Sequence, residues 1–154
     1  MGDSALIESW EIHNRIHLYM LEAVPEAALA SVLASKGRTV GEQFAHIHNV
    51  RLMWLKAAAP ELLEGLEKIE KDGIDKARLV KSLGASSKAI AALLRQAAAD
   101  GDRVKGFKPN GTAFFAYLVS HESHHRGQIA LTLKQAGFPL DKKTGYGMWE
   151  WGVR

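Results

Sequence analysis

The chain has 154 residues, enough for one domain with its own hydrophobic core, and we treat residues 1–154 as a single domain. It contains no cysteine, which excludes disulfides, thiolate zinc sites and a cysteine nucleophile. The formal net charge is +3, and the charged residues are scattered, without the basic stripe typical of nucleic-acid binding. No segment approaches the roughly 20 apolar residues of a membrane span, and the N-terminus lacks a basic and apolar leader. We therefore expect a soluble, cytoplasmic protein that binds neither nucleic acid nor membrane.

The first predicted element is an amphipathic helix over residues 4–22, because apolar side chains recur there with helical spacing. Asn14 and His17 fall on the same apolar stripe as Trp10. Buried polar side chains need hydrogen-bond partners, so Asn14 and His17 either line a wet pocket or pack against a helix end.

A second helix is predicted from Thr39, because residues 39–42 have the form of a capping box, to about Ala58, before Pro60. His46 and His48 lie about 200° apart on this helix, so only one of them can face a given site. Both faces carry apolar residues, and periodicity alone leaves the choice open.

The remaining helices are predicted from the same spacing. Residues 60–72 indicate a short amphipathic helix in the connection, and residues 75–99 a third long helix. A fourth long helix is predicted from Thr112 as N-cap to Gly137. Strand patterns are nearly absent, apart from extended structure allowed in the tail, whose aromatic residues we expect to pack over the bundle or against another subunit. The predicted fold is all-α, a four-helix bundle with a short extra helix between helices 2 and 3.

Three of the seven histidines fall within residues 121–129. On a helix His121 and His125 project from one face about one turn apart, where both imidazoles can reach one ion. Leu118 and Ile129 lie on the same side, so both rings should face the interior, and a shared metal would supply the partners they need. The alternative is that these are surface or hydrogen-bonded structural histidines. A third ligand would come from His46 or His48.

Residues 39–47 and 121–129 resemble the two characteristic motifs of the DinB-like superfamily. The resemblance implies a four-helix bundle, commonly a homodimer, in which one histidine of the second helix and a His-x-x-x-His pair of the fourth bind a divalent metal. The matching positions are His46, His121 and His125, and His48 and His124 are then left without a role. Relatives include S-transferases and isomerases that use bacillithiol, mycothiol or glutathione.

These residues favour a divalent-metal-dependent enzyme, thiol-transferase-like or hydrolase-like, acting on a small molecule. Three neutral imidazoles leave the ion an open coordination position, which suits catalysis. Zinc or nickel fits imidazole best, and manganese and iron are also compatible. A low-molecular-weight thiol would have to come from outside the chain. The alternatives are a non-catalytic metal-binding protein and a bundle for dimerisation or small-ligand binding.

No general acid or base is assigned from the sequence. Glu122 is expected behind the ligands or at the surface, since it lies about 100° round the helix from His121. The pocket could also be lined by polar residues that share the stripes of the ligands: Gln43, Gln128, Asn14 and His17. Tyr117 and Trp54 are expected to serve packing.

Overall fold

The protein is described by a computed structural model that covers residues 2–154, with side chains from residue 4 onward. Its four long helices are α1 (Gly2–Ala23), α2 (Val40–Ala58), α3 (Lys76–Ala99) and α4 (Gly111–Gln135). Residues 2–154 contain no strand, so the predicted all-α class is confirmed. The helix α3 packs against α1 and α2, and α4 packs against the same two helices. No helix in this range is both long and apolar enough to cross a membrane.

The starts of α2 and α3 are set by capping side chains. The hydroxyl of Thr39 accepts a hydrogen bond from the backbone N–H of Glu42 at 3.1 Å, as the sequence predicts. The carboxylate of Asp75 accepts one from the N–H of Arg78 at 2.7 Å. Each cap satisfies a backbone donor that the first helical turn leaves free, which is why both helices begin at these residues.

The predicted N-cap of α4, Thr112, is wrong by two residues. Asn110 caps the helix instead, accepting a hydrogen bond from the N–H of Ala113 at 2.8 Å. The hydroxyl of Thr112 donates to the carboxylate of Asp102 at 3.0 Å, so it ties the preceding loop to the helix. Asparagine is at least as good an N-cap as threonine, and the loop determines which of the two is used.

The connection between α2 and α3 contains two 3-10 turns, Pro60–Leu63 and Lys71–Gly73, where the sequence predicts one short helix over residues 60–72. Gly65 has a φ of +75°, which ends the first turn. Leucines of this segment still pack against the core, so the apolar spacing correctly indicates burial. It does not produce a continuous helix, because a left-handed residue interrupts the hydrogen bonding.

The tail forms a short helix, α5 (Lys142–Gly147), where the sequence allowed extended structure. Asp141 caps α5 through a 2.7 Å hydrogen bond from the N–H of Thr144. Met148 packs on the core, whereas Tyr146 and Trp149 are 74% and 77% exposed. Those two aromatic side chains therefore do not pack over the bundle.

The core consists of two apolar clusters, one toward each end of the bundle. A layer of buried polar side chains separates them and crosses all four long helices. One cluster is centred on the residues near Phe44 and Leu133, and the other on those near Trp10 and Phe114. Each helix contributes to the polar layer at the positions between its two apolar segments. The layer comprises His13, Asn14, His17, Arg51, Ser86 and Glu122.

Candidate metal centre

The helices α2 and α4 bring together the three histidines that the family motifs indicate. The ring centroid of His46 lies 5.4 Å from that of His121 and 4.6 Å from that of His125. The Nε2 atoms of His121 and His125 are 3.1 Å apart. Each residue offers one ring nitrogen, and these three atoms all lie within 4.8 Å of one another. Such a set of donor atoms could hold a single metal ion.

Gln43 determines the tautomer of His125. The Nδ1–H of His125 donates to the side-chain oxygen of Gln43 at 2.7 Å, which leaves the lone pair of Nε2 directed toward the other two rings. Histidines that bind metals are commonly held by such a hydrogen bond on the second ring nitrogen. Gln43 is buried on the same helix as His46, so one helix supplies both a candidate ligand and the partner of another.

All three rings are held in the neutral form that a metal requires. Burial, together with the neighbouring His121 and His46, lowers the pKa of His125 to about 4. Burial also lowers the pKa of His46 and of His121, and the positive charge of Arg38 acts in the same direction on both. Nδ1 of His121 is buried without a hydrogen-bond partner in the described part of the chain. Its other ring nitrogen, Nε2, faces Nε2 of His125 and is the candidate ligand atom, and a set of three neutral imidazole nitrogens fits a bound divalent metal.

One side of the histidine group remains accessible. His46 and His121 are half-buried, whereas His125 is buried. His46 also lines a cavity of about 180 Å³ together with Arg38 and Asn49. Tyr117 lies nearly parallel to the ring of His121, with centroids 6.2 Å apart, and forms a wall of the site. A small molecule could therefore approach the three rings from solvent.

The two other histidines of the motif regions have different surroundings. The Nε2–H of His48 donates to the carbonyl oxygen of Glu67 at 2.8 Å, and its side chain is buried away from the three rings. It anchors the α2–α3 connection. His124 is exposed, although its ring lies 5.2 Å from that of His125. The geometry therefore groups His46, and not His48, with the α4 pair.

A second group, which the sequence analysis did not identify, consists of His13, His17 and Glu122. The Nε2 atoms of His13 and His17 lie 2.8 and 2.9 Å from Oε2 of Glu122. Arg51 donates to both oxygens of the same carboxylate, at 2.6 and 2.8 Å. Glu122 is thus fully buried in an ionic network, so the expectation that it lies at the surface is wrong, and its hydrogen bonds go to Arg51, His13 and His17. Asn14 is buried in the same network, where it accepts from Arg51 at 2.9 Å.

A signal for this second group is present in the sequence. His13 and His17 have the same His-x-x-x-His spacing as His121 and His125, and both fall on the apolar stripe of α1. The spacing predicts two convergent imidazoles but does not show what lies opposite them. Glu122 and Arg51 reach this point only because α2 and α4 pack beside α1.

Both groups place three donor atoms close enough to hold a metal ion, but their surroundings differ. In the second group every donor atom already has a protein partner, and a second guanidinium, that of Arg126, lies 3.5 Å from Nδ1 of both histidines. A divalent cation there would be buried beside two permanent positive charges, with a single carboxylate to offset them. The donor set of His46, His121 and His125 fits a metal better.

The fold and this site define a helical bundle with a three-histidine cluster formed between its second and fourth long helices. A model of the DinB family matches residues 1–144, so the chain belongs to the DinB family. A comparison with curated proteins finds no match.

Proposed function

We propose that His46, His121 and His125 bind one divalent metal ion and that the protein is a metal-dependent enzyme, thiol-transferase-like or hydrolase-like. The observation that carries this proposal is the convergence of three neutral imidazoles on an accessible side of the bundle. A bundle of this size can fold on its apolar core alone, which argues against a metal that only stabilises the fold. Zinc or nickel suits the imidazole donors best, and manganese and iron are also compatible.

Each residue at this site would have a distinct role. His46, His121 and His125 would hold the ion, and Gln43 would keep His125 in the tautomer that presents Nε2. When bound, the ion would supply Lewis acidity, which lowers the pKa of a water molecule or thiol that reaches it. Because the chain has no cysteine, a thiol would be an external low-molecular-weight cosubstrate. Tyr117 would shield one side of the site from water.

The surroundings of Glu122 favour thiol chemistry over hydrolysis. This carboxylate directly follows the candidate ligand His121 in the sequence. It is bonded to Arg51, His13 and His17, which holds its pKa well below the usual range and leaves it a poor proton acceptor. A thiol that loses its proton on contact with a metal needs less help from a protein base than water does.

The alternative function is non-catalytic metal binding, or a bundle for dimerisation or small-ligand binding. The engagement of Glu122 in a structural network supports it, because this carboxylate is then unavailable for proton transfer. The homodimer that the family resemblance implies is part of either proposal. The exposure of Tyr146 and Trp149 supports an interaction surface in the tail. Light scattering of the purified protein would distinguish a dimer from a monomer.

Elemental analysis of the purified, metal-loaded protein tests the proposed site. We expect about one ion per chain for a three-histidine site with an open position. His46→Ala and His125→Ala should each lose the ion, whereas the control His124→Ala, an exposed histidine on the same helix, should retain it. Metal retained in the first two variants would overturn the site.

A second measurement separates enzyme from non-catalytic protein. Loaded protein is screened for consumption of thiols in the presence of electrophilic substrates and for hydrolysis of simple esters and amides. Thiol consumption that disappears in His125→Ala supports the transferase. Hydrolysis alone supports the hydrolase, and inactivity in both screens, with metal bound, favours the non-catalytic alternative.

A further inference from the structure

Arg51 forms hydrogen bonds to the other three long helices. From α2 its guanidinium donates to Glu122 of α4 through two bonds, of 2.6 and 2.8 Å. It also donates to Asn14 of α1 at 2.9 Å, and to the carbonyl oxygen of Leu83 and the hydroxyl of Ser86 on α3 at 3.0 and 3.2 Å. The side chain is 0% exposed. Such a side chain restrains the axial positions of all four helices at once.

The strongest of these links joins the two helices that supply the three candidate metal ligands. Arg51 follows His46 by five residues on α2, which is about 7.5 Å along the axis. Glu122 follows His121 directly on α4. The position of α4 relative to α2 therefore determines both the Arg51–Glu122 geometry and the distance from His46 to the other two rings.

The planar guanidinium and the carboxylate meet in a two-bond arrangement that tolerates little sliding. A shift of one residue along a helix moves a side chain by about 1.5 Å, which would break both bonds. Metal–ligand distances are fixed to within about 0.2 Å, so the same shift would also open the three-histidine group. Apolar side chains on either side can repack after small shifts and restrain the register less strictly.

The first helix holds the carboxylate from the opposite side. Oε2 of Glu122 contacts Nε2 of His13 at 2.8 Å and Nε2 of His17 at 2.9 Å. With Arg51, these contacts satisfy the carboxylate in a site from which water is excluded. Loss of the arrangement would leave buried charges unpaired, so alternative registers are disfavoured.

We propose that Arg51 and Glu122 are positioning residues, whose buried ion pair sets the register of α2 and α4 in which His46 meets His121 and His125. The inference rests on the proposed metal site and adds a role to two residues that do not touch the metal. The polar layer between the two apolar clusters is then the element that aligns the site.

The test uses two variants of the buried pair, called the pair variants: Arg51→Met/Glu122→Met, which removes both charges of the pair, and Arg51→Lys, which keeps the charge but loses the two-bond geometry. The matched control is Arg95→Met/Glu11→Met, an exposed ion pair of 3.5 Å between α3 and α1. Cobalt(II) is the probe, because its visible absorption reports coordination geometry as well as affinity.

In both pair variants we expect cobalt affinity to fall by about tenfold or more, with an altered absorption spectrum and with helical circular dichroism retained. The control should keep the affinity and the spectrum of the parent protein. Folded pair variants with unchanged affinity and spectrum would overturn the proposal. If both variants fail to fold, the pair serves stability alone, and the proposal also falls.

A second measurement does not depend on metal. The chain has no cysteine, so Met53→Cys on α2 and Leu131→Cys on α4, both at exposed positions, introduce two unique spin-label sites. Pulsed electron resonance should give one narrow distance in the parent and a shifted or broadened distribution in the pair variants. If the parent binds no cobalt, the proposed function fails. The distance measurement then decides by itself whether Arg51 and Glu122 set the register of α2 and α4. An unchanged distribution overturns that role.

Discussion

The two histidine groups have the same spacing on their helices but opposite surroundings. His121 and His125 meet His46 on an accessible side of the bundle, where the partner of His125 is the neutral amide of Gln43. His13 and His17 meet a carboxylate that two further bonds from Arg51 neutralise. The comparison shows that His-x-x-x-His on a buried helical face specifies convergent imidazoles, whereas the residue opposite them decides what they can bind.

The charge of Glu122 provides the most severe test of this contrast. Glu122→Gln keeps the shape of the side chain but leaves the buried guanidinium of Arg51 without a counter-charge. We expect a loss of about 3–5 kcal/mol in the free energy of unfolding, measured by urea denaturation. Arg95→Ala, which breaks an exposed ion pair, should cost less than about 1 kcal/mol. Equal losses in the two variants would show that the second group is not an ionic network of structural importance.

A substitution of Gln43 tests the accessible group of His46, His121 and His125. Gln43→Leu removes the acceptor of the His125 Nδ1–H and should lower metal affinity by about 10–100-fold, measured by competition with a chelator. The control Gln96→Leu changes an exposed glutamine on α3, a helix without candidate ligands, and should leave the affinity unchanged. An unaltered affinity in Gln43→Leu would mean that His125 needs no partner to present Nε2.

The pH dependence of stability tests the buried group of His13, His17 and Glu122. Burial lowers the pKa of His17 to about 3, against about 6.5 in the unfolded chain. Between these values only the unfolded chain takes up the proton, so the free energy of unfolding should fall as pH falls from about 6.5 toward 3. His17→Gln should reduce that slope by up to about 1.4 kcal/mol per pH unit, measured by urea unfolding at pH 6 and pH 4. Parallel slopes in parent and variant would contradict a neutral, buried His17.

Local patterns in the sequence determined the helices and the pairing of histidines within them. The predicted starts of α2 and α3 agree with the structure because Thr39 and Asp75 each cap the helix that follows them directly in the sequence. The pairing of His121 with His125 is also local, because residues four apart share a helical face. The start of α4 and the short helix α5 were missed where two capping residues compete or where the pattern is too short to detect.

Only the tertiary structure decided what lies between helices. Periodicity leaves His46 and His48 on two apolar faces and the resemblance to the family motifs points to His46, but only the packing of α4 against that face brings His46 to His121 and His125. The burial of Glu122 depends on Arg51 reaching across from α2, and on His13 and His17 from α1. These contacts join residues far apart in the chain, and their energies depend on burial and on partners that no single segment contains.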